Sequence, residues 1–298
     1  MKDRTLTEKA VAGSWLKDFG LLTKLRLSLT VVFSSVLAFL IAVKPNDFSF
    51  TALSLLSFGG FFITAAANIL NQVLERAYDS KMRRTANRPL AAGRMKVTDA
   101  VLLAGVFSLL GIVSLALFNP LTSFLGTFAL VSYAFVYTPI KRISPVAVAV
   151  GAVPGALPVL IGCVAAEGSL TILGMSLFAF QFLWQFPHFW SIGWLGHEDY
   201  SNAGFKLMPI NENGEIDHRI GLQSVLYTLF LFPVGFLPFY LDISGWMSLI
   251  VVCLMTTVYL FFALRFKLKF NKQSAKALMF TSFFYIPVSF IALLLDKI

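Results

Sequence analysis

Apolar runs long enough to cross a bilayer recur along almost the whole chain, and no other feature restricts the fold so tightly. A spanning helix needs about 20 mostly apolar residues. Nine stretches qualify: 25–43, 50–74, 98–118, 121–138, 145–165, 169–195, 219–240, 244–264 and 275–294. The 298 residues are 57% hydrophobic and only 13% charged, against about 25% charged in a soluble domain. The expected fold is an all-α polytopic membrane protein with nine transmembrane helices. Residues 1–20 read as an N-terminal tail and residues 21–298 as one transmembrane domain. Asn119–Pro120 divides the third and fourth runs as a tight turn.

The net charge of +9 would suit nucleic acid, but its placement argues otherwise. Of 24 Lys and Arg, all but Lys44 and Lys297 fall at the start of the chain or in the loops after runs two, four, six and eight. The positive-inside rule then puts the N-terminus and those loops in the cytoplasm, and nine runs put the C-terminus outside. Orientation accounts for the basic balance. The expected partner is the lipid bilayer, with no nucleic acid. No small-residue cleavage site follows a short apolar stretch near the start, so the first run is expected to stay as an anchor. Cys163 and Cys253 lie in apolar runs without CxxC spacing and read as small core residues.

Residues 68–95 read "NILNQVLERAYDSKMRRTANRPLAAGRM". On a helix, Asn68, Asn71, Gln72, Glu75 and Asp79 share one face at the cytoplasmic end of the second span. Polar groups at membrane depth are costly and usually face a cavity. Carboxylate and amide oxygens are hard ligands suited to Mg²⁺, which shares its shell with water and substrate phosphates. Arg83, Arg84 and Arg88 follow at once, and guanidinium forks bind phosphate oxygens. The combination points to a polyanion such as pyrophosphate. "YTPIKRIS" adds Tyr137, Lys141 and Arg142 on the same side of the membrane as a further phosphate contact. The bland alternative is that the basic loop only sets topology and the stripe only packs helices.

A second constellation lies in "QFLWQFPHFWSIGWLGHEDYSNAGFKLMP", residues 181–209. Gln181, Gln185 and His188 share a helical face, and Pro187 removes a backbone donor beside them. Trp184 and its aromatic neighbours form a wall that either lines a flat apolar ligand or faces lipid. Glu198 and Asp199, at the cytoplasmic exit, are a second acidic pair able to help bracket a metal. A lone buried His is most often a packing residue, though imidazole also ligates haem iron or acts as a base.

These residues resemble the motifs of the UbiA superfamily of intramembrane prenyltransferases. "NQVLERAYD" is similar to its NDxxDxxxD motif, with Asn71 and Asp79 at the ends and Gln72 and Glu75 where Asp is usual. "RTANRPLAAG" resembles the stretch that follows it. "WQFPHFW" with "EDY..AG...MP" is most similar to the protohaem IX farnesyltransferase branch, and Gly196 stands where the second DxxxD motif would start. The resemblance implies a UbiA-like helical bundle in the bacterial inner membrane. It implies transfer of a farnesyl group from farnesyl diphosphate to a vinyl group of protohaem IX (haem B), giving haem O and pyrophosphate. It further implies Mg²⁺ on Asn71, Glu75, Asp79, Glu198 and Asp199, with Asn71, Glu75, Asp79 and His188 catalytic. The diphosphate would lie on Arg83, Arg84, Arg88, Lys141 and Arg142, and haem on His188, Trp184 and Gln185. Haem A synthase or terminal oxidase assembly would lie downstream. His188 could ligate iron, orient the ring or position water. The nearest alternative is a superfamily member acting on an aromatic acid or quinone precursor. A transporter is more distant, because its ionisable groups should lie near mid-membrane.

Overall fold

The computed structural model describes residues 15–298. Most of the tail expected at 1–20 therefore lies outside the described residues. Helix α1 (15–22) leads into α2 (Leu25–Ala42), α3 (Phe50–Asp79), α4 (Val97–Ala116) and α5 (Pro120–Ile140). Then follow α6 (Ala147–Glu167), α7 (Ile172–Leu195), the short α8 (His197–Asn202), α9 (Arg219–Tyr240), α10 (Trp246–Lys269) and α11 (Lys272–Leu295). Two isolated β-bridges occur, and the described residues form no strand.

Each helix starts where local chemistry allows it. Ser49, Asn119, Thr171 and Asn271 accept a main-chain N–H from the first turns of α3, α5, α7 and α11. Pro120 occupies the first position of α5, where its missing N–H costs nothing. Asn271 and Ser274 complete a capping box.

Eight helices are long and apolar enough to cross a membrane: α2, α3, α4, α5, α6, α9, α10 and α11. α7 has 24 residues, but Gln181, Gln185, Pro187, His188 and its three Trp dilute its apolar character. The outer surface carries large apolar side chains, including Leu102 at 70% and Phe284 at 63% exposure. Together with the apolar helices, such a surface suits contact with lipid.

Two apolar cores hold the bundle. One draws on α2 to α6, and the other on α7, α9, α10 and α11 with residues of α2 and α6. α6 sits between them and packs against α2, α5 and α7. Its small residues make this possible. A Cβ at Gly162 would fall on the Ser35 carbonyl oxygen of α2, and one at Gly155 on the Gln185 amide of α7. Close backbone approach through small residues is how membrane helices gain packing energy without a hydrophobic drive.

Candidate active site

The polar stripe of α3 faces inward. Asn68, Asn71, Gln72, Glu75 and Asp79 are all buried, and their partners divide them into two sets. Asn68 donates to Thr23 O and Ser28 Oγ, and Gln72 donates to Leu21 O and Leu22 O at 2.9 and 2.7 Å. These two amides hold the end of α1 and the break before α2. Residues 18–23 thus belong to the packed body, where Asp18 also pairs with Arg94 at 2.6 Å.

Asn71, Glu75 and Asp79 instead line a cavity of about 360 Å³. Each meets a cation from a different part of the chain. Lys24 Nζ donates to Asn71 Oδ1 at 2.9 Å. Lys141 Nζ lies 2.6 Å from Glu75 Oε1. Arg88 Nη1 donates to both oxygens of Asp79, at 2.8 and 2.7 Å. Asn71 is oriented by its other end: Nδ2 donates to Thr138 Oγ1 at 3.1 Å, and that hydroxyl donates to Tyr133 O. The Tyr133 carbonyl lies in a π-helical turn at Ser132–Tyr137, a local widening common at functional sites. The same turn sends Tyr133 and Tyr137 into the cavity. Lys141 lies 4.8 Å from the Tyr137 ring centre, within cation–π range.

Lys24 is seated unusually. Its φ of +47° is left-handed, a conformation uncommon for a side-chain-bearing residue, and it marks the break between α1 and α2. Burial, then proximity to Arg88 and Lys141, pushes its ammonium well below the ordinary lysine range, against the pull of Glu75 and Asp79. Burial also lowers the pKa of Lys141, while Glu75 opposes the shift. Cations held toward their neutral form in this way are stabilised by an arriving polyanion.

From the other half of the bundle come His188, Phe189 and Ile192 of α7, Tyr200 of α8, Phe205 and Met208 of the following loop, and Phe283 of α11. Arg84 also lines the cavity and donates to the Tyr200 hydroxyl at 3.1 Å. One chamber thus joins an amide, two carboxylates and four cations to an imidazole ringed by aromatics.

The family model for the UbiA prenyltransferase family matches residues 31–285. The chain belongs to the UbiA prenyltransferase family. It is 40% identical over 291 residues to the Protoheme IX farnesyltransferase of Christiangramia forsetii, covering 96% of this chain and 95% of that one. The protein of that name from Cytophaga hutchinsonii is 42% identical over 287 residues, covering 96% and 99%. The human mitochondrial Protoheme IX farnesyltransferase is 35% identical over 277 residues, covering 93% of this chain and 61% of that one. In fold, a UbiA homologue of Archaeoglobus fulgidus bound to GPP and Mg²⁺ superposes with a TM-score of 0.66 at 15% identity, covering 93% and 99%. A structure described as that of digeranylgeranylglyceryl phosphate synthase gives 0.79 at 16% identity, covering 94% and 98%.

Within this UbiA-family chain, the cavity gathers Asn71, Glu75, Asp79, Arg84, Arg88, Lys141 and His188 of the residues singled out by sequence. Six others that were given site roles lie outside it. Arg83 is exposed, and its main-chain N–H bonds Asp199 Oδ1 at 3.3 Å. Arg142 donates to Leu74 O at 2.6 Å and covers the Tyr78 ring, which fixes the last turns of α3. Trp184 donates to Ser282 O, and Gln185 donates to Ala152 O and Gln181 O. Glu198 is exposed and Asp199 half-buried. The one-turn α8 directs their neighbour Tyr200 into the chamber. Among the described residues, no group of three or more His, Cys, Asp or Glu clusters to hold a metal.

Sequence reasoning missed Lys24, Tyr133, Tyr200 and Phe283, while Tyr137, named with Lys141 in "YTPIKRIS", does line the cavity. Lys24 had counted only as a topology charge. A basic residue directly before an apolar run carries no mark that separates an orienting charge from a buried one.

Proposed function

We propose that this chain transfers a farnesyl group from farnesyl diphosphate to a vinyl group of protohaem IX, releasing pyrophosphate and giving haem O. One observation carries the reading: a single chamber joins the oxygens of α3 and the cations around them to a histidine ringed by aromatics on α7. The near-full-length relatives named Protoheme IX farnesyltransferase support it.

The diphosphate lies against Lys24, Arg84, Arg88 and Lys141. Three of these cations spend their charge here on Asn71, Glu75 and Asp79. These three offer hard oxygens on one helical face, a donor set that fits a divalent cation completed by water and phosphate oxygens. When bound, Mg²⁺ supplies charge neutralisation for the departing diphosphate. Glu198 and Asp199 lie outside this set, and Arg83 and Arg142 lie outside the diphosphate site.

Heterolysis of the farnesyl C1–O bond leaves the electron pair on pyrophosphate, where Arg84, Arg88, Lys24 and Lys141 stabilise the developing charge. The vinyl π-bond attacks the allylic cation to form a C–C bond. Water captures the resulting cation and loses a proton, giving a hydroxyethylfarnesyl group. Low water content in the aromatic part of the chamber protects the allylic cation until then.

In this reading α7 is the ninth span. It packs against α6, α9 and α11, and its length suffices to cross. The N-terminus and the basic loops then face the cytoplasm and the C-terminus lies outside. The membrane is the bacterial inner membrane, and haem A synthase or oxidase assembly uses the product.

The test is mass spectrometry of haem extracted from cells with and without the protein. A farnesylated, hydroxylated haem that depends on the protein is expected. Membranes given labelled farnesyl diphosphate with either haem or 4-hydroxybenzoate separate the two acceptor classes. Label in the aromatic acid and none in haem would overturn the proposal.

A further inference from the structure

The His188 ring is held by one residue of the last helix. Its Nδ1 lies 2.7 Å from Ser282 Oγ. The same hydroxyl donates to the Met279 carbonyl at 2.5 Å. A carbonyl oxygen cannot donate, and a serine has one proton to give. Both contacts are satisfied only when that proton goes to Met279 and His188 Nδ1–H donates to Ser282. In a neutral imidazole the lone pair then sits on Nε2. Among the described residues no hydrogen bond reaches Nε2, and the ring lines the cavity.

Ser282 also fixes the plane of the ring. His188 stacks on Trp184 with centroids 4.7 Å apart and 18° between planes. The Trp184 indole N–H donates to the Ser282 carbonyl at 2.9 Å. Phe189 and Phe283 meet the imidazole edge-on. Ser282 itself is fully buried and its hydroxyl also meets Tyr259, so its bonds serve the interior alone. This is more orientation than a packing histidine requires.

We propose that Ser282 is a positioning residue that holds His188 as the Nδ1–H tautomer, so that Nε2 offers its lone pair to the iron of the acceptor haem. The inference rests on haem being the acceptor. The opposite tautomer would present an N–H to the chamber, which cannot bind iron. Imidazoles that ligate metals almost always donate their other N–H to a fixed partner.

The test titrates protohaem IX into the purified full-length protein in detergent and reads the ferric and ferrous absorption spectra. Wild type is expected to show an imidazole-ligated iron, and His188→Ala to lose that signature. Ser282→Ala should weaken the ligated species about 10-fold or more, while Ser282→Thr, which keeps a hydroxyl, restores it. Wild-type affinity and spectrum in Ser282→Ala would overturn the positioning role. An unchanged spectrum in His188→Ala would overturn the iron ligand. Loss of haem binding in both Ser282→Ala and Ser282→Thr would assign Ser282 to packing and overturn the proposal. Failure of the acceptor reading shows separately, as an absence of farnesylated haem in cell extracts.

Discussion

Lys24, Arg88 and Lys141 converge on three side chains of α3 from a helix break, a loop and the end of a different helix. The convergence makes the α3 oxygens strongly interdependent with the cations. Asp79→Ala removes a hard ligand and leaves Arg88 without its carboxylate. The expected outcome is a fall of at least about 100-fold in pyrophosphate release, the scale of removing one electrostatic contact to a transition state. The variant should still insert into membranes at normal yield. Full turnover would remove Asp79 from the site. Gln72 is the opposite case. It stands where the NDxxDxxxD motif it resembles has Asp, yet its amide donates to two main-chain carbonyls that a carboxylate could only repel. Gln72→Glu should cost about 1–3 kcal/mol for each bond lost, read as a lower Tm in detergent, with no gain in divalent-cation affinity. A gain in metal affinity would put residue 72 back among the ligands. Helical spacing placed Gln72 and Glu75 on one face. It could not tell which neighbour each would meet, since α1 lies about 50 residues earlier in the chain.

At the scale of helices, α6 and α7 decide the site, because between them they join the two cores. Gly162 lets α6 lie against the α2 backbone. Gly162→Ala would press a methyl onto the Ser35 carbonyl, so it should cost at least the upper part of the roughly 1–3 kcal/mol typical of overpacking. Gly105→Ala is the matched control. It lies mid-helix in α4 with nothing within 4 Å of the added Cβ. There, better helix propensity should leave Tm unchanged or raise it by up to about 1 kcal/mol equivalent. Thermal melts of the two variants in one detergent provide the comparison, and equal melting would mean that α2 and α6 do not need this contact. The Asn119–Pro120 turn and the small residues of α6 were legible because each has a local cause. The π-helical turn in α5 was not. It depends on how Thr138 and Asn71 share bonds across helices. Nor was the orientation of α8, whose single turn sends Tyr200 into the chamber and leaves Glu198 exposed.

For the molecule as a whole, the nine-span topology turns on α7 crossing the membrane. In a chain with Cys163 and Cys253 replaced by Ala, single cysteines at Ser169 and Ser201 flank α7, and both positions are exposed. Cys at 169 should label from outside intact cells and Cys at 201 only after permeabilisation. Labelling of both from one side would make α7 re-entrant and remove the nine-span topology. The sequence by itself determined that this is a helical membrane protein and that Asn71, Glu75 and Asp79 lie on one helical face. These follow from desolvation and helical period, which act locally and can be read along the chain. Only the tertiary structure decided which polar residues share a chamber. It brought Lys24 to Asn71, Lys141 to Glu75 and Ser282 to His188, and it left Arg83, Arg142, Glu198 and Asp199 outside. Those choices depend on helix rotation and close approach, set by packing among residues far apart in the chain.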